Sequence, residues 1–156
     1  MRKKIILRER FWTRIKMTYE IVTKYIKDLS FKIKDAKSYF LLEKDIKNYT
    51  FVCDIKSIKL KDKIIQADIN LRLLPVNNTS KSNLDVKVEL SSIIQFNEIG
   101  SKDEMEKIIL IKVPEEVYPS MREVIIFLFK NSGFNKINIP EKIDFKRLYE
   151  SRKIQK

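Results

Sequence analysis

The chain has 156 residues, 44% hydrophobic and 35% charged, which suits one soluble domain with an ordinary core and excludes a disordered polymer. Its 33 lysines and arginines outnumber 21 aspartates and glutamates, and its longest apolar run is six residues, far short of the ~20 a membrane helix needs. With no histidine, a single cysteine and two glycines, it has no Ser-His triad, no His-ligated metal site, no intrachain disulfide and no glycine-rich phosphate loop. An enzyme is not expected, nor is a cofactor. The lone thiol suits a reducing compartment, with the cytoplasm as the default.

The excess charge is spread along most of the chain, as on a solvated surface. The exception is 1–17. Arg2, Lys3, Lys4, Arg8, Arg10, Arg14 and Lys16 stand there against Glu9 alone, and Ile5, Phe11, Trp12 and Ile15 share a helical face. This basic amphipathic segment is a candidate for contact with RNA or a membrane surface, or for docking on its own domain or a neighbouring subunit; the plainest alternative is that native synthesis starts at Met17. It lacks the apolar stretch and cleavage site of a secretory signal.

Residues 18–156 read as one domain. Tyr19 and Ile21 alternate with Glu20 and Lys24, and Leu29, Phe31 and Ile33 resume the period of two, so Thr18–Ile33 is a predicted strand. Asp35–Asn48 has no clear period and reads as a crossover loop carrying Tyr39, Phe40, Leu41 and Leu42. Tyr49–Leu60 is a second strand, with Phe51, Cys53 and Ile55 on one face and a phase change that predicts a bulge near Lys56-Ser57. After a turn at Lys61-Asp62-Lys63, Ile65 to Leu73 alternate cleanly. The polar Pro75–Ser82 loop precedes the last strand, with Leu84, Val86, Val88 and Leu90 in alternation. Clean alternation implies one wet and one buried face, hence an antiparallel sheet.

Ser101 and Glu104 form a capping box for a helix with Met105, Ile108 and Ile109, broken around Pro114. Tyr118-Pro119 and the Ser120–Glu123 box predict a second helix starting there. Its run Val124-Ile125-Ile126-Phe127-Leu128-Phe129 leaves no polar face, so one sheet cannot cover it and a partner subunit is expected on the other side. Gly133 ends it, Pro140 follows, and Asp144 caps a last helix with Phe145, Leu148 and Tyr149 on one face. Four strands followed by helices give an α+β fold: a four-stranded antiparallel sheet with C-terminal helices on one face.

The order Tyr118-Pro119, Arg122-Glu123, Gly133-Phe134, Pro140, Ile143-Asp144-Phe145 and Leu148-Tyr149 resembles the C-terminal signature of the SecB family of export chaperones. Upstream, Tyr25 to Phe31 and then Asp35-Ala36 resemble that family's first strand and crossover. The resemblance implies an ATP-independent holdase for unfolded polypeptides and a homotetramer built as a dimer of dimers. It implies a client groove with Tyr39, Phe40, Phe51, Cys53, Ile55, Phe145, Leu148 and Tyr149, and an oligomer interface with Val124, Ile125, Ile126, Phe127 and Phe129. Asp28, Lys32 and Lys87 fall where the family meets its motor ATPase. The two lysines stand at commonly acidic positions there, and the chain ends SRKIQK without an acidic tail, so client binding carries over better than motor docking. A dedicated client such as an antitoxin is the companion reading. The alternative from another class is a nucleic-acid- or membrane-surface-binding protein that uses residues 1–17.

Overall fold

The structure, a computed structural model, describes residues 17–77, 83–135 and 137–155. The basic segment that precedes Met17 lies outside them. Four antiparallel strands, β1 (Tyr19–Ile33), β2 (Tyr49–Lys61), β3 (Ile64–Pro75) and β4 (Leu84–Phe96), form one sheet in the order β1-β4-β3-β2. The central strands β3 and β4 are the most buried, and their helix-side residues from Ile65 to Leu73 and from Leu84 to Phe96 make the core floor. β2 and β1 are the open edges.

The segment expected as a crossover loop is a helix, α1 (Ala36–Asp45), with a 3₁₀ turn at Ile46–Asn48. Asp35 caps it by accepting from the Ser38 N–H at 2.7 Å, and Leu42 buries its inner face. Aromatic and leucine residues bunched at 39–42 hide the helical period there. No bulge lies at Lys56-Ser57: the β2–β3 register is regular from Tyr49 to Lys59 and shifts only between Lys59 and Lys61. The phase change has another cause, because Ile58 sits on the outer sheet face, opposite Gln66, and is half exposed.

The helices also depart from expectation. α2 (Lys102–Lys107), capped by Ser101 as predicted, passes through a π turn at Ile108–Lys112 straight into α3 (Val113–Asn131). Pro114 does not break this run; it stands where the π turn, closed by the Val113 N–H on the Ile108 carbonyl, passes into α3. Tyr118-Pro119 starts no helix, since Pro119 lies inside α3. The stripe Val113, Val117, Met121, Ile125 and Phe129, at four-residue spacing and 0–1% exposed, carries the helix through its proline. Each such buried side chain contributes about 1.5–3 kcal/mol. Gly133, at φ +85°, then closes a Schellman cap: its N–H bonds the Lys130 carbonyl and the Phe134 N–H bonds the Phe129 carbonyl. The last helix, α4 (Phe145–Ile154), is capped by Asp144.

Candidate functional site

A groove of about 720 Å³ runs between the β2 edge and α4. Tyr49, Phe51 and Cys53 line it from β2, Ile46 and Lys47 from the 3₁₀ turn, and Leu73 and Tyr118 from below. Ile137, Pro140 and Ile143 supply the opposite wall, and Arg147, Leu148 and Ser151 of α4 close the side. The wall is pinned to α3. The Tyr118 hydroxyl donates to the Pro140 carbonyl, Arg122 donates to the Ile139 carbonyl at 3.4 Å, and the Tyr118 ring meets Phe145 edge-on at 6.2 Å. Tyr118 and Ile143 also line a second hollow of about 540 Å³, edged by Glu115, Arg122, Glu123, Glu141 and Lys142.

α4 is held along its length. Asp144 accepts from the Arg147 N–H at 3.0 Å, and Phe145 and Tyr149 are buried. Tyr149 and Lys153 both reach Asp103 of α2, at 3.4 and 3.0 Å. Hydrogen bonds from Lys153 and then Lys107 hold the Asp103 carboxyl down at about 2. Arg152 reaches round the sheet edge to the Cys53 carbonyl at 3.1 Å and the Asp54 carboxylate at 3.2 Å. Burial pushes the Cys53 thiol up to about 11, so it stays protonated at neutral pH and serves as an apolar surface rather than a nucleophile. The groove can therefore offer dispersion, aromatic faces and main-chain hydrogen bonds, chemistry that suits binding an extended chain.

The expected groove residues separate into three sets. Phe51, Cys53 and Leu148 line the groove; Ile55, Phe145 and Tyr149 pack beneath α4 in a crevice of about 10 Å³. Tyr39 and Phe40 stand on α1, away from the lining: the Tyr39 ring meets Phe134 at a tilt of 51°, 5.1 Å between centroids, and Phe40 is 66% exposed. Sequence reading missed Ile46, Tyr49, Tyr118, Ile137, Pro140 and Ile143. Isolated apolar residues in short connections have no period to mark them, although Tyr118 and Pro140 stand in the C-terminal signature.

On the outer sheet face, the Lys87 ammonium lies 2.9 Å from Asp28 and 3.5 Å from Glu89, and Lys32 stands opposite Asp85 in the ladder. Their mutual hydrogen bond lowers the Asp28 carboxyl and raises Lys87. Burial alone would raise Asp68, but bonds from Lys27, Ser91 and Gln66 outweigh it and hold the carboxyl below its usual range. Acids and bases alternate across this face, with Lys87 paired to Asp28 and Glu89 and Lys27 to Asp68 and Glu89. In the expected oligomer surface, Ile125 and Phe129 belong to the core, Val124 and Ile126 are half-buried, and Phe127 is 64% exposed. Beside α3, the β1 edge exposes Val22, Tyr25, Ile26 and Leu29. No helix among the described residues is long and apolar enough to cross a membrane.

The sequence model described as preprotein translocase subunit SecB matches residues 13–156. The chain belongs to the SecB family. A putative protein-export protein SecB of Pelagibacter ubique (strain HTCC1062) is 33% identical over 135 residues, 86% of this chain and 96% of that one. Among solved structures, a Mycobacterium tuberculosis SecB-like chaperone, in complex with a ChAD peptide from the HigA1 antitoxin, superposes with a TM-score of 0.59 at 10% identity. That match covers 85% of this chain and 93% of the other. At that identity the likeness speaks for the fold, and the fold is SecB-like. SecB proteins are chaperones rather than enzymes, which agrees with a groove built for binding and not for bond-making.

Proposed function

We propose that this SecB-family chain is an ATP-independent holdase that takes extended apolar segments of unfolded polypeptides in the groove between β2 and α4. The observation that carries it is the groove itself: Phe51, Cys53, Leu73, Tyr118 and Leu148 make an open apolar channel beside a sheet edge. Isolated apolar side chains are ordinary on a surface, but a continuous channel of them marks a binding site. The test is suppression of aggregation of a chemically unfolded protein, without nucleotide, across a salt series. Apolar capture holds as salt rises, whereas phosphate contacts would weaken steeply. Salt-sensitive RNA binding with no protection of the client would favour the nucleic-acid reading of the basic N-terminal segment.

The working unit in this reading is a homotetramer in the cytoplasm, a dimer of dimers. The exposed apolar residues on the β1 edge and Phe127 on α3 support it, because a lone protomer leaves them wet. The antitoxin peptide held by the mycobacterial relative supports a dedicated client as much as general export. Docking to an export ATPase through Asp28, Lys32 and Lys87 is weak in this reading, because Lys87 already holds Asp28 and Lys32 adds a further positive charge, so the face offers a partner no surplus of acid. The double substitution Lys32→Glu, Lys87→Glu should strengthen ATPase binding at low salt, and tight binding by the unmodified chain would sink the charge argument.

A further inference from the structure

In an antiparallel ladder, alternate residues turn their N–H and C=O toward the partner strand, and the others turn theirs away. Two bonds fix the phase in β2. The Asn48 carbonyl accepts from the Val76 N–H at 2.7 Å, so even-numbered residues face β3. The Cys53 carbonyl accepts from Arg152 at 3.1 Å, off the open edge. Phe51 and Cys53 therefore direct their backbone groups outward while their side chains line the groove. A chain lying in the groove meets apolar pockets and a row of main-chain partners at the same positions, which is the geometry of strand addition. Arg152 stands at the end of that row. Its guanidinium, anchored on Asp54 at 3.2 Å, occupies the carbonyl that an incoming N–H would need.

We propose that the Phe51–Cys53 edge of β2 takes the client segment as an added strand, and that Arg152 is a positioning residue that closes the edge until a client strand displaces it. The inference rests on the groove reading above. Its occupant is a segment with apolar side chains at every second position and no proline at those positions, because each must donate its N–H to β2.

The probe is a short peptide alternating leucine and serine, measured by fluorescence anisotropy on the full chain. In an antiparallel addition, leucines in the groove present their own N–H to β2, and the serine amides point away. N-methylation of the leucine amides should weaken binding about tenfold or more, and N-methylation of the serine amides should change it by about twofold at most. Arg152→Ala should tighten the unmodified peptide about threefold without rescuing the leucine-methylated one, and Arg152→Lys should fall between. The guanidinium is half exposed, so neither variant threatens the fold. Equal binding of the two methylated peptides overturns strand addition and leaves the groove reading standing. No binding by any of the peptides overturns both. Unchanged affinity in Arg152→Ala overturns the closing role.

Discussion

The Tyr39 hydroxyl occupies the space that a β-carbon on Gly133 would need. α1 and the cap of α3 thus meet at the one position where the chain takes φ +85° on a glycine. Both the backbone angle and the neighbour demand glycine there, and Tyr39 is held in place by Phe134 at 5.1 Å.

Gly133→Ala should therefore cost about 1–2 kcal/mol for the left-handed conformation alone, and more while Tyr39 is present. Urea denaturation gives the value. Adding Tyr39→Phe removes the hydroxyl and should recover the steric part only. If the double variant returns to wild-type stability, the backbone angle costs nothing and the cap is not strained.

Asp103 ties α2 to α4 through Lys153 and Tyr149, and its carboxyl sits at about 2 in the folded chain. Unfolded, it returns to an ordinary value of about 3.9. A carboxyl depressed on folding stabilises above its unfolded value, and that contribution fades as pH falls through the folded one. The difference in urea midpoint between wild type and Asp103→Asn should be present at neutral pH, shrink below about pH 4 and vanish near pH 2. A difference that persists in acid would mean the charge contributes nothing.

Phe127 and Phe129 are two residues apart and should behave in opposite ways. Phe129 is buried between Phe31 at 5.1 Å and Phe134 at 5.7 Å, so Phe129→Asp should unfold the protomer. Phe127 is exposed, so Phe127→Asp should keep the thermal midpoint of an isolated protomer and lower the assembly state. Sedimentation velocity reads this directly. A Phe127→Asp variant that assembles as wild type would remove this helix face from the interface.

Leu148 and Phe40 separate the groove from its surroundings. Leu148→Asp places a charge in the lining and should abolish protection of an unfolded client while circular dichroism stays unchanged. Phe40→Asp alters a more exposed aromatic outside the lining and should leave protection within about twofold of wild type. Equal losses from both would extend the client surface over α1.

The fold was largely legible because its signals are local and strong. Alternation in β3 and β4, the Ser101 and Asp144 caps and the Gly133 stop each depend on a few neighbouring residues. The helical run from Lys102 to Asn131 was hidden by Pro114 and Pro119, although the stripe from Val113 to Phe129 spells it out. α1 was hidden because Tyr39, Phe40, Leu41 and Leu42 share no single face. The groove was half legible. Its β2 and α4 walls follow from periodic patterns, while Ile46, Tyr118, Ile137 and Ile143 come together only through tertiary packing.

β1 breaks register with β4 twice, between Ile21 and Thr23 and between Ile26 and Asp28, so Val22 and Lys27 are each one residue extra. Each extra residue shifts the odd-even alternation by one position, and the pair returns it to its starting phase. This is why Ile21, Leu29, Phe31 and Ile33 all pair with helix-side residues of β4, while Asp28 and Lys32 stay on the outer face. Neither extra residue has a partner of its own in β4, so losing Val22 or Lys27, singly or together, would restore unbroken pairing and leave Leu29, Phe31 and Ile33 facing the helices. Losing a regularly paired residue between them, such as Tyr25, would instead put its neighbours out of phase with β4. Across related sequences, the length of this strand should vary by single residues at these two places.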